Sequence, residues 1–306
     1  MQQSKTRYPQ CNLSACLLPW TKEFELDVSV YEAHIQDTLS AGYKHIYLTG
    51  TAGEGYTLSE KRFRQVVEIF ADKTVKPGID PQVGVISTSM EHMLERMAFC
   101  YGKGIRMFQI TLPCWGALDD DELLLFFQTV CGTFADCRFL HYNNPRSKRR
   151  LTGKDYRRIA DQVPNLVATK NSSSDYSVTY EVIRNAPDLQ HFFLEGNYPF
   201  GSLLGECSLL CSYGHVFPQT TWRYYEAGVK GDKDELFRIQ ELFHYAGGRL
   251  FEHCKRDMID SAFDKTFVWL RMPEFSNRLL PPYIGLSEDE SRVCLELFQR
   301  EFADIP

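Results

Sequence analysis

The chain has 306 residues, 43% hydrophobic and 24% charged, and 34 Lys and Arg against 40 Asp and Glu leave a formal net charge of −6. That length holds one large domain or two small ones with ample core, and the acidic balance offers no surface for nucleic acid phosphates or anionic lipid. The opening stretch MQQSKTRYPQ has no apolar leader and no later stretch approaches eighteen uninterrupted apolar residues, so neither a secretion signal nor a membrane span is expected.

Eight short apolar or β-branched runs then follow one another: Asn12 to Leu18, His45 to Gly50, Gln82 to Ser87, Arg106 to Thr111, Arg138 to Asn143, Leu166 to Lys170, His191 to Gly196 and Cys207 to Ser212. Most are apolar throughout, as parallel strands covered on both faces must be. Between the second and third, Phe63, Val66, Val67 and Phe70 recur at helical spacing, with Thr57 or Ser59 placed to cap the helix. Between the fourth and fifth, Asp119 to Asp121 precede Leu123, Leu124, Phe126 and Phe127, an acidic helix start. Strand and helix alternating eight times predict an α/β protein, a (β/α)8 TIM barrel over residues 1–219. A doubly wound sheet competes less well, because no run is followed by Gly-x-Gly-x-x-Gly. Residues 220–306 read as helices, including Asp232 to His244 and Glu288 to Phe302, and are expected to form a C-terminal helical extension. Ten cysteines are scattered through the chain without a Cys-x-x-Cys, which predicts reduced, mostly buried thiols in a cytoplasmic protein.

Barrel enzymes draw their chemistry from the C-terminal ends of the strands. Lys170 closes the otherwise apolar run Leu166-Val-Ala-Thr-Lys170. Desolvation in a barrel mouth lowers an amine's pKa, which suits attack on a carbonyl to form a Schiff base; a lysine that merely snorkels to the rim is the competing reading. Tyr142 ends the preceding run, where adjacent parallel strands bring its phenol beside the amine as a proton relay or leave it a tethered core tyrosine. Gly50-Thr51-Ala52-Gly53-Glu54-Gly55 lacks the Gly-Lys-Ser/Thr ending of a nucleotide loop. Its backbone N–H groups and threonine suit a small carboxylate instead, and a purely structural turn is the alternative.

Together these residues resemble the dihydrodipicolinate synthase/N-acetylneuraminate lyase family of class I aldolases and lyases. Gly50-Thr51-Ala52-Gly53-Glu54 with Thr57-Leu58-Ser59 is similar to the family's Gly-Thr/Ser-Thr-Gly-Glu and Thr-Leu-Ser; Tyr142-Asn143-x-Pro145 to its Tyr-Asn-x-Pro; and Lys170-Asn171-Ser172-Ser173 to its Lys-Asp/Glu-Ser-Ser. The 28-residue step from Tyr142 to Lys170 also matches, and Arg278 to Leu286 looks like the Arg-Pro-Pro segment before the last family helix. The resemblance implies that Lys170 forms an imine with pyruvate or another 2-oxo acid, and that Tyr142 moves protons. Thr51 with the N–H groups of Ala52 and Gly53 would hold the carboxylate, and Trp115, Gly196 and Leu210 would contact substrate. The imine is its own electron sink, so no metal or organic cofactor is implied, and the expected assembly is a homodimer or homotetramer.

The departures narrow the substrate. Ala52 replaces a second hydroxyl, removing a hydrogen bond worth roughly 0.5–1.5 kcal/mol. Trp115 stands where the synthase has its interface-crossing tyrosine, and Ser147, between Arg146 and Lys148, where it has the arginine that binds the aldehyde's carboxylate. Tyr198 and Pro199 occupy the places of the acidic residues that bind sugar hydroxyls in sialic acid lyases. Pro113-Cys114-Trp115 with Leu118-Asp119 looks like the Pro-x-Trp…Leu-Asp segment of the hydratase-aldolase branch, where an indole stacks on a flat aldehyde; in the alternative, Trp115 fills an interface. A dihydrodipicolinate synthase-like aldolase, a hydratase-aldolase, a sugar-acid aldolase or dehydratase, and a catalytically impaired 2-oxo acid-binding barrel all remain open.

Overall fold

The computed structural model of the chain describes residues 7–173 and 175–306. The first six residues of the N-terminal stretch read above for a leader lie outside them. Each apolar run supplies a strand: β1 (Asn12–Cys16), β2 (His45–Leu48), β3 (Asp80–Gly84), β4 (Met107–Ile110), β5 (Arg138–Asn143), β6 (Leu166–Asn171), β7 (Gln190–Leu194) and β8 (Ser208–Leu210). All neighbours pair in parallel, and β8 pairs with β1 to close the barrel. Alternate side chains explain the unbroken apolar pattern. Leu13, Ala15, Tyr47, Met107, Leu140, Ala168, Phe192 and Leu210 pack inside the barrel, whereas Ile46, Leu48, Phe108, Phe139, Phe193 and Leu209 face the surrounding helices.

Those helices are α1 (Val28–Ser40), α2 (Glu60–Thr74), α3 (Met90–Gly102), α4 (Asp120–Thr133), α5 (Gly153–Ala160), α6 (Tyr176–Asn185), α7 (Tyr198–Leu204) and α8 (Pro218–Lys230). Ser59 caps α2, accepting a hydrogen bond from Arg62 N–H, while the Thr57 hydroxyl donates to the Glu54 carbonyl. The acidic start of α4 is a capping box between Asp119 and Glu122. A boundary at residue 219 falls inside α8, whose Trp222 indole donates to the Ala41 carbonyl after α1 at 2.8 Å. The helix therefore completes the ring around the barrel, and the extension proper is α9 (Lys233–Phe251), α10 (Asp260–Arg271) and α11 (Glu288–Glu301). All ten cysteines are free and all but Cys114 and Cys254 are buried. No helix among the described residues is long and apolar enough to cross a membrane.

Candidate active site

The turn after β2 is held in an uncommon shape. Thr49 sits at φ +60°, a strained region for a β-branched residue, and its hydroxyl reaches the carbonyls of Leu48 and Gly84, each at 2.7 Å. Gly55 is required here, since a Cβ on it would stand 2.2 Å from the Thr49 carbonyl oxygen. Glu54, fully buried, anchors the turn. Its carboxylate accepts from the Trp20 indole and from Leu280 N–H, both at 2.8 Å, and pairs with the buried Lys265 of α10. Ser261, also on α10, donates to the Thr51 carbonyl at 2.9 Å. The turn that presents Thr51 and Ala52 is thus fastened to the C-terminal extension.

Lys170 points inward from the end of β6 and is 3% exposed, so it does not snorkel to the rim. Register pairs it with Tyr142 on β5. Its Nζ lies 3.9 Å from the centre of the Tyr142 ring and donates to the Tyr47 hydroxyl at 3.3 Å. Burial opposes the ammonium, yet the Tyr142 and Tyr47 phenols and Asp264 outweigh it and hold the amine above its ordinary pKa. The lowering expected from desolvation alone is therefore overturned, because the apolar run leads into a polar mouth. Burial in turn pushes the Tyr47 phenol up to about 12.

Thr51, Ala52, Tyr142, Lys170 and Leu210 line one cavity of about 390 Å3 at the C-terminal ends of the strands. Sequence reasoning missed much of its wall. Tyr47 rises from β2, Glu195 follows β7, Ser212 follows β8, and Gly247, Phe251, Asp264 and Phe267 descend from α9 and α10. Ser212 N–H donates to Glu195 Oε2 at 3.3 Å. Loss of solvent raises the Glu195 carboxyl and brings that of Asp264, only 5% exposed, up to about 7. At the rim Arg146 pairs with Asp260 at 3.0 Å.

Three residues expected at the substrate do not line this cavity. Trp115 is 90% exposed and lines neither this cavity nor its neighbour, so its indole does not cover the site within one chain. Gly196 lines a neighbouring cavity beside α9 that shares Glu195 and Tyr213 with this one, and Gln240 donates to its carbonyl at 3.0 Å. Gly53 packs under the turn, where a Cβ would approach the Thr49 nitrogen at 3.0 Å. Cys114 lines the second cavity, which shares Thr51 with the first.

A closed parallel barrel with a buried lysine amine in its mouth defines the broad class, and comparison gives the family. The chain belongs to the dihydrodipicolinate synthetase family, whose model matches residues 9–256. The family is one of lyases and aldolases. A 4-hydroxy-tetrahydrodipicolinate synthase from Oenococcus oeni is 29% identical over 248 residues, covering 76% of this chain and 82% of the relative. One from Methanopyrus kandleri is 25% identical over 239 residues, covering 76% and 77%. Among solved structures, YagE, a prophage protein of the dihydrodipicolinic acid synthase family from E. coli K12 in complex with pyruvate, superposes with a TM-score of 0.85 at 17% identity, covering 95% of this chain and 97% of that one. CdNal from Clostridium difficile, in complex with mannosamine, gives 0.84 at 16%, covering 95% and 98%. These likenesses show the fold.

Proposed function

We propose that this protein is a class I lyase or aldolase that binds pyruvate or a related 2-oxo acid as an imine on Lys170. The observation that carries the reading is a buried amine 3.3 Å from one phenol and against the ring of another, in a cavity shared with the Thr51 and Ala52 turn. The neutral amine adds to the ketone carbon, and the carbinolamine loses water to leave a protonated imine. Loss of a proton from the adjacent carbon gives an enamine, with the imine nitrogen as electron sink. The enamine carbon attacks an aldehyde, whose oxygen takes up a proton, and water then releases the product and the lysine. Tyr142 would carry protons to and from the carbinolamine oxygen. Thr51 and the turn's N–H groups would hold the carboxylate. Every electron pair stays between lysine and substrate, so the proposal calls on no cofactor. The partner is a small 2-oxo acid, with no role for nucleic acid or membrane, and a second copy of the chain is the expected companion.

Borohydride reduction in the presence of pyruvate, followed by intact mass and peptide mapping, tests the assignment. An adduct on Lys170 is expected. No adduct with any simple 2-oxo acid overturns it, and an adduct without turnover across an aldehyde panel identifies a binding barrel instead of an enzyme.

A further inference from the structure

We propose that Ser261, on α10 of the C-terminal extension, is a positioning residue for the 2-oxo acid carboxylate: by donating to the Thr51 carbonyl it aims the Ala52 N–H at that carboxylate. The inference rests on the imine assignment to Lys170 and adds a residue outside the barrel on which capture of the carboxylate depends.

Ala52 carries no hydroxyl, so this side of the cavity offers an anion the Thr51 hydroxyl and backbone N–H groups. Two N–H groups of the turn are already committed: those of Glu54 and Gly55 donate back to the Thr51 and Gly50 carbonyls at 3.0 and 3.1 Å. Among the described residues the Ala52 N–H, on a buried residue of the cavity wall, meets no acceptor. A buried N–H without an acceptor in its own chain is uncommon, and beside a cavity it is a donor open to a ligand.

The direction of that N–H is set across its own peptide bond. The C=O and N–H of a trans peptide share a plane and point oppositely, so holding the Thr51 carbonyl holds the Ala52 N–H. The carbonyl accepts twice, from Glu54 N–H and from the Ser261 hydroxyl at 2.9 Å. The first bond is internal to the turn and moves with it, whereas the second ties the peptide to a helix outside the barrel. Ser261 has no exposed surface and stands four residues before Lys265, so one face of α10 meets the turn at both the Thr51 carbonyl and the Glu54 carboxylate.

The donors run in series. A carbonyl can only accept, so the single Ser261 hydroxyl hydrogen goes to Thr51, and the Tyr56 hydroxyl, 3.0 Å from Ser261 Oγ, donates to Ser261. Tyr56, Ser261 and the peptide between Thr51 and Ala52 each pass a hydrogen bond on in the same sense, and the last donor is the Ala52 N–H. Each bond polarises the next, which strengthens that last donor toward negative charge. The glycine-rich motif carries no trace of the arrangement, because Ser261 lies 210 positions after Thr51.

The test compares borohydride capture on Lys170 of pyruvate and of acetone, which has a methyl group in place of the carboxylate, in the wild-type protein, Ser261→Ala and Ser261→Cys. Alanine removes the donor, and cysteine puts a weak one in its place. In each variant the ratio of pyruvate to acetone capture efficiency is expected to fall about three- to fivefold, the worth of one net hydrogen bond. The half-saturating pyruvate concentration should rise by the same factor, with the capture rate at saturation held within about twofold. Loosening of α10 without loss of aim would slow both ketones and leave the ratio in place, and the folded fraction of a sample cancels in it. A ratio unmoved in either variant, or a loss confined to the rate at saturation, overturns the role. Absence of a pyruvate adduct on Lys170 in the wild-type protein removes the imine reading itself, a separate result that precedes any substitution.

Discussion

Tyr142 and Lys170 are register partners on neighbouring strands, and the lysine Nζ faces the centre of the tyrosine ring at 3.9 Å. The ring supports the ammonium while the hydroxyl extends beyond it, so the two functions of one side chain are separable. Tyr142→Phe keeps the ring. It is expected to fold normally and still form the pyruvate imine, with single-turnover rates lowered about 10²- to 10⁴-fold. Unchanged rates would take Tyr142 out of the mechanism.

Tyr47, on β2, gives the Lys170 ammonium an oxygen acceptor. A hydrogen bond to the charged form favours it, so Tyr47→Phe lowers the pKa of the amine and enlarges the neutral fraction at a given pH. The rising limb of the pH profile for imine capture is expected to move down by about one pH unit. A profile that stays in place, or moves up, contradicts the assignment.

Glu54 and Lys265 form an ion pair with no exposed surface. Lys265→Met strands the Glu54 carboxylate without its counter-ion, which is expected to cost about 3–5 kcal/mol in urea unfolding. Combining it with Glu54→Gln should restore much of that loss. A double variant no more stable than Lys265→Met would mean that the pair does not act as a unit.

Asp264 carries a stability cost with a defined pH window. Unfolded, it titrates near 3.9, and folded at about 7. Between those values the folded chain retains a proton that the unfolded chain has lost, so stability falls as pH rises from about 4 to 7, and the penalty is complete above 7. Asp264→Asn should therefore be more stable than wild type at pH 8, by on the order of 2–4 kcal/mol, with the gain vanishing below about pH 4. Thermal unfolding of both proteins across that range checks the sign.

Trp115, 90% exposed on the loop between β4 and α4, is an unusual surface residue. If a second copy of the chain covers it, Trp115→Ala lowers the sedimenting mass at micromolar concentration. An unaltered sedimentation profile places the contact between copies elsewhere.

The eight strands were legible because each buries both faces and so reads as an unbroken apolar run, and Lys170 stood out as a charge ending such a run. Tyr47 was concealed by the same uniformity. A tyrosine in an apolar run looks like core until the inward parity of β2 is known, and only Tyr142, with its Asn-x-Pro context, carried a local signal. The direction of the Lys170 shift was misread for a related reason: burial is inferable from neighbours in sequence, but of the groups that oppose it only Tyr142 was legible beside the amine, while the phenol on β2 and the carboxyl on α10 that add to it are distant in the chain. Trp115 and Gly196 were assigned by position in motifs, which do not encode loop geometry, and neither lines the cavity that holds the amine.

The roof over Lys170 is made from helices that follow every strand in the chain. During synthesis the barrel residues emerge first, and the amine and its tyrosines exist before anything can cover them. A ribosome halted before α10 would carry a barrel whose reactive nitrogen stands open to any passing carbonyl compound and whose Glu54 lacks its counter-ion. Covering of the lysine and anchoring of the Glu54 turn therefore both wait on the same late part of the chain, α9, α10 and the segment that follows.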